Sequence, residues 1–126
     1  MKILRREAVI FIIGAVGYGL IELLWRGRTH PTMLAAGGIC FLLFSHIAHL
    51  FSGKPLIFKA LLSALAVTAV ELAFGMVFNV AFKMKVWDYS ELPLNFMGQI
   101  CLLFTALWGV LGFIFVPFAD FIRKRL

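Results

Sequence analysis

Apolar residues arrive in four long blocks, Ala8 to Trp25, Met33 to Phe51, Leu56 to Phe82 and Phe96 to Ile122, with short polar connections between them. A helix needs about 20 residues, at about 1.5 Å each, to cross a hydrocarbon core of about 30 Å. Each block meets that length or nearly does. The pattern predicts an all-α membrane protein of four transmembrane helices forming one domain over residues 1–126. The third and fourth blocks are long enough to tilt or to run into the interface. Pro31, Pro55 and Pro93 fall in connections or first turns, where a missing N–H costs least, whereas Pro117 lies inside the fourth block and predicts a kink. The first block reads as a retained span rather than a cleaved signal.

Composition strengthens this picture. The 126 residues are 63% hydrophobic and 14% charged, with 14 Phe; ordinary soluble domains run at about 45–50% and about 25%. Mean hydropathy is +1.01. A soluble fold of this size has too little interior to hide so much apolar surface, so the solvent is lipid.

A formal net charge of +6 would suit nucleic acid, but its placement argues otherwise. Lys2, Arg5 and Arg6 precede the first block, and Arg123, Lys124 and Arg125 end the last. Such flanking cations orient helices and meet anionic head groups, so membrane lipids are the expected contacts and nucleic acid is not. With Lys54 and Lys59 of the 51–59 connection, eight cations lie on one side, against Arg26, Arg28, Lys83 and Lys85 on the other. That bias places both termini in the cytoplasm of a multi-pass cell-membrane protein. Cys40 and Cys101 fall within apolar blocks and read as small buried side chains, not a disulfide.

Polar residues inside the blocks carry whatever chemistry there is. Glu71 follows eleven uncharged residues, Ala60 to Val70, and precedes eleven more, Leu72 to Phe82. It therefore sits roughly 16 Å from either end of the span, near the bilayer midplane. An ionised carboxylate there costs at least about 2.5–3.5 kcal/mol, so it must be protonated, paired or wet. Gly75 and Asn79 follow at four-residue steps on the same face, as do Tyr18, Glu22 and Arg26 on the first block. These residues suit a site for a cation, a proton or a polar substrate group; hydrogen bonds that hold helices together would use the same side chains. Small residues Gly98, Cys101, Thr105, Gly109 and Gly112 form a strip along the fourth block, and Gly14, Gly17 and the 35–38 run do so more loosely. Both suit close helix approach.

Between the third and fourth blocks lies VWDYSELPLNFMGQ, residues 86–99. Trp87 and Tyr89 fit an aromatic belt, and Asp88, Ser90 and Glu91 fit a capping box for the fourth helix. Asn95 and Gln99, one turn apart at its start, then face an intramembrane cavity. The stretch reads as a rim or lid, with Asp88 and Arg26 as partners across it. His46 and His49, three apart, read as core or interfacial histidines rather than metal ligands. No GxxxxGK[ST], GxSxG, HExxH or CxxC pattern occurs, so no cofactor or metal is expected and the chain does not itself use ATP.

The segments IELLWRGRTHPTM (21–33), GGICFL (37–42), ELAFGMVFN (71–79) and VWDYSELPLNFMGQICL (86–102) resemble the bacterial family of type IV ABC-transporter permeases. The resemblance runs from about Gly19 to Trp108, and its last segment is the most specific. Glu22, Arg26, Glu71, Asn79, Trp87, Asp88, Tyr89, Asn95 and Gln99 are the positions that match. It implies a membrane permease subunit, with a larger membrane complex or an ATPase subunit as partner. Three functions are then expected to compete. The first is a small permease moving an ion, solute or lipid as a homo-oligomer, since four spans rarely enclose a pathway alone. The second is a non-transporting accessory subunit. The third is an intramembrane lipid-modifying enzyme using Glu71 or Asp88.

Overall fold

The computed structural model describes residues 2–27, 29–84, 87 and 90–126, the side chains of Lys2, Trp25 and Arg26 excepted. Four helices long and apolar enough to cross a membrane account for most of them. Helix α1 is Lys2–Arg26, α2 is Pro31–Leu50, α3 is Leu56–Phe74 and α4 is Leu102–Arg125. The chain ahead of α1's apolar block is helical as well, so the first span starts earlier than the Ala8 expected from sequence. Gly27, at φ 72°, ends α1 in the left-handed conformation that glycine adopts most easily. His30 opens α2: its Nδ1 accepts the Thr32 N–H at 3.2 Å, and Pro31 takes the first helical position.

Helix α3 does not stop at Phe74. It widens into a π-helical segment, Gly75–Ala81, where the Phe82 N–H reaches back five residues to the Val77 carbonyl at 3.1 Å. A Met84 N–H to Phe78 carbonyl bond of 2.9 Å, with Lys83 at φ 55°, closes this end.

The sequence-based start of the fourth helix needs correction. Residues Asn95–Phe96 and Ile100–Cys101 pair as a two-residue antiparallel ladder, and α4 begins only at Leu102. Met97 and Gly98 both have positive φ, and the Gln99 N–H bonds the Phe96 carbonyl at 3.0 Å, a tight turn inside the three-residue loop 97–99 between the paired Phe96 and Ile100. Asn95 and Gln99 therefore belong to a hairpin, not to one face of a helix. Ser90 and Glu91 lie in turns ahead of that hairpin, so the expected capping box does not start α4. Cys101 is the N-cap, with no side-chain cap bond.

Helix α2 is the organising element: α1 packs along it, and both α3 and α4 touch it. Its glycines make this possible. A methyl at Gly37 would strike the Tyr18 side chain, one at Gly38 the Phe11 ring, and one at Gly14 would strike Phe41. Gly17, expected to act likewise, has nothing near it. The core lies toward the end that holds both termini and combines Ile10, Phe41, Phe44, Ala48, Val67, Val116 and Ala119. Phe44 stacks on Phe115, and Phe41 meets Phe118 at a tilt.

Helices α3 and α4 meet along the predicted small-residue strip, from Thr105 to Gly112. A methyl at Gly112 would sit 3.2 Å from the Ala60 Cα, and one at Gly109 would sit 3.5 Å from the Ala64 Cβ. The Thr68 and Thr105 hydroxyls share a 2.8 Å bond one turn further on. This antiparallel register puts Leu102 opposite Glu71. Beyond that level the span faces the hairpin instead of a helix. Irregular backbone at such depth is tolerated where protein covers it, and Gly98, Gln99 and Cys101 are all buried.

Candidate functional site

The site is built from the outer part of the third span, the hairpin and the first turns of α4. Glu71, in mid-span, accepts the Trp108 indole N–H at 2.9 Å. A buried indole needs an acceptor, and a carboxylate in an apolar span needs a donor. Cys40 of α2 lies within electrostatic range of the same carboxylate. One turn on, Gly75 leaves the space that Gln99 fills; a methyl there would stand 2.5 Å from Gln99 Oε1. Asn79 Nδ2 donates to that Oε1 at 2.9 Å, while Gln99 Nε2 donates to the Met97 carbonyl at 2.9 Å. Trp87 Nε1 closes the group by donating to the Gln99 carbonyl at 3.0 Å. Gln99 is only 6% exposed, and its amide is engaged at both ends.

Of the residues expected to form the site, Asn79, Trp87 and Gln99 meet directly, and Glu71 lies just below them with Trp108. Asn95 is in the same hairpin but serves its backbone. It donates to the Leu92 carbonyl at 2.8 Å and accepts the Gly98 N–H at 3.0 Å. Glu22 is 5% exposed near the end of α1, a helix that packs chiefly on α2, and it takes part in further contacts, as Tyr18 does. Arg26 ends α1, and its side chain lies outside the described residues, as do Asp88 and Tyr89 altogether. The proposed Asp88–Arg26 pairing therefore falls outside them too.

Two participants escaped the sequence reading. Trp108 was legible only as a large aromatic in an apolar block; the clue was an indole N–H with no acceptor on its own helix. The second is Glu7, which follows the flanking cations Arg5 and Arg6 directly in sequence. Its Oε1 accepts from Arg123 Nη1 at 3.0 Å and its Oε2 meets His46 Nε2 at 2.7 Å. The same Arg123 nitrogen donates to Ser45 Oγ at 3.0 Å. This cluster joins α1, α2 and α4 at the end of the bundle that carries both termini. It is the opposite end from the amide group.

Four apolar spans, with an acid and an amide satisfied inside them and a second amide in the hairpin between them, define a multi-pass membrane protein. Residues 9–126 match the family described as "Putative ABC-transporter type IV", and the chain belongs to that family. No curated protein and no solved structure matches it.

Proposed function

We propose that this chain is a small permease that passes an ion, small polar solute or lipid head group by way of Glu71, with Asn79 and Gln99 as the amides that receive it. The observation that carries the reading is the Glu71 carboxylate. It stands in mid-span, accepts the Trp108 indole N–H and lies directly beneath a π-helical segment, a feature that recurs at functional sites. In this reading the substrate replaces Trp108 and the Asn79–Gln99 bond as partner. Glu22 and Arg26 extend the polar route toward the outer face, where Trp87, Asp88, Tyr89 and Asn95 form its rim. Both termini lie in the cytoplasm, in keeping with the eight-to-four cation bias. Repetition by symmetry completes the pathway, and a separate ATPase subunit supplies energy, since the chain has no phosphate loop.

Flux into proteoliposomes tests this. Removing a charged hydrogen-bond partner is worth about 1.5–3 kcal/mol, so Glu71→Gln should slow flux at least about tenfold. Equal flux by both proteins over a wide pH range would make Glu71 structural. A second reading, that of an accessory subunit, is favoured by one observation: the Glu71, Asn79 and Gln99 side chains all bond within the chain. It predicts stable co-purification with a larger membrane protein and no flux from the chain alone.

A further inference from the structure

The α3–α4 seam leaves a groove of about 560 Å³ on the outside of the bundle. Ala60, Ala64, Ala106 and Gly109 form part of its lining, with Thr105 and Phe113 among the other lining residues. No lining residue is ionisable. The groove runs from Ile57, in the first turn of α3, to Leu102, which the helix register sets opposite Glu71. That length is roughly 20 Å at 1.5 Å per residue, enough to cover one leaflet, about 15 Å of a core about 30 Å thick, and part of its interface.

Charge is distributed to match. The eight cations of the termini end face only Glu7 and Asp120 there. The other four Lys and Arg are equalled in number by Glu22, Glu71, Asp88 and Glu91. By chain position, the whole formal charge of +6 therefore sits at the termini end, which the groove reaches at Ile57. Glu7 is already held by Arg123 and His46, and Asp120 by Lys124 at 3.0 Å. Lys54, in the turn just before Ile57, is exposed, and Lys124 keeps 75% of its side chain exposed despite its pairing.

We infer that the groove is a binding site for one anionic phospholipid. An acyl chain lies along the α3–α4 seam and the phosphate meets Lys54, three residues before Ile57 in the lining. A recess with no charged side chain suits the acyl chain, and the exposed Lys54 beside its Ile57 end, within the cation-rich termini end, suits the phosphate, as juxtamembrane Lys and Arg do for anionic leaflets. A neutral lipid would satisfy only the first half of this arrangement, and a helix from a second copy would leave the cations unmatched. The inference stands apart from the transport reading and does not need Glu71 to be active.

The test compares the full-length protein in nanodiscs of phosphatidylcholine alone and with phosphatidylglycerol, by thermal unfolding and by native mass spectrometry of retained lipid. Phosphatidylglycerol should raise the unfolding temperature by several degrees and remain bound. Lys54→Gln should abolish the preference for phosphatidylglycerol. Ala106→Phe, which fills the groove from an exposed position, should weaken retention about tenfold. Val110→Trp, also exposed, serves if that variant does not fold. Equal unfolding temperatures in the two lipids would overturn the inference. So would an equal shift with inorganic phosphate alone, which would leave the groove without a role. Conversion of a dimer into a monomer by Ala106→Phe would overturn it too, by assigning the groove to a second copy.

Discussion

Glu7→Leu is expected to destabilise the folded bundle by about 3 kcal/mol, roughly a hundredfold in the folding equilibrium. Both carboxylate oxygens are in use, one on Arg123 and one on His46. Arg123 is 10% exposed and would be left with the Ser45 hydroxyl alone among the described contacts. Breaking one side of a fully buried ion pair costs about 3–5 kcal/mol, because the remaining charge is stranded. Here Glu7 is 21% exposed and His46 42%, so water relieves part of the loss and the lower end of that range applies. Arg123→Leu should cost a similar amount. The double variant should cost clearly less than the two losses added together, because the second change removes the charge that the first one strands. Titration of detergent-solubilised protein with a denaturing detergent, followed by circular dichroism, measures all three.

Gly75→Leu should have the next largest effect, a loss of about 2 kcal/mol centred on the hairpin. Gly75 has ordinary right-handed helical angles, so its backbone does not require glycine. Its value is the space it leaves: a Cβ would stand 2.5 Å from Gln99 Oε1 and 2.9 Å from Gln99 Cβ. A larger side chain must displace Gln99, which breaks the Asn79 bond and disturbs the carbonyl that holds Trp87. Hydrogen exchange of residues 95–101 should rise steeply in this variant while α1 and α2 keep their protection. Gly17→Leu is the control: with nothing near its Cβ, it should change little.

The four spans were legible because lipid imposes one rule, about 20 apolar residues with every backbone group satisfied within the segment. The Thr105–Gly112 strip was legible for a similar reason, since close helix approach demands small side chains at helical spacing. The hairpin was not. Asn95 to Cys101 is apolar enough to pass for the first two turns of a helix, and only Gly98 hints at the turn; the left-handed Met97 beside it carries no sequence signal. Glu71 was readable as an anomaly from its position alone, but its partner Trp108 lies 37 residues away and carries no local signal. Glu7 was harder still. Its partners are 39 and 116 residues distant, and nothing local to it signals either one.

The central claim is that the Glu71 position meets water or a polar substrate at some stage of a cycle. Chemical access to that position tests it most directly. Glu71→Cys, in protein whose Cys40 and Cys101 have been replaced by alanine, would be reconstituted in vesicles and exposed to a membrane-impermeant cationic thiol reagent. Leu65→Cys, on a side chain 65% exposed toward lipid, is the reference. Modification of position 71 at least about tenfold faster than position 65 is the predicted result, and labelling no faster than the reference would contradict the account.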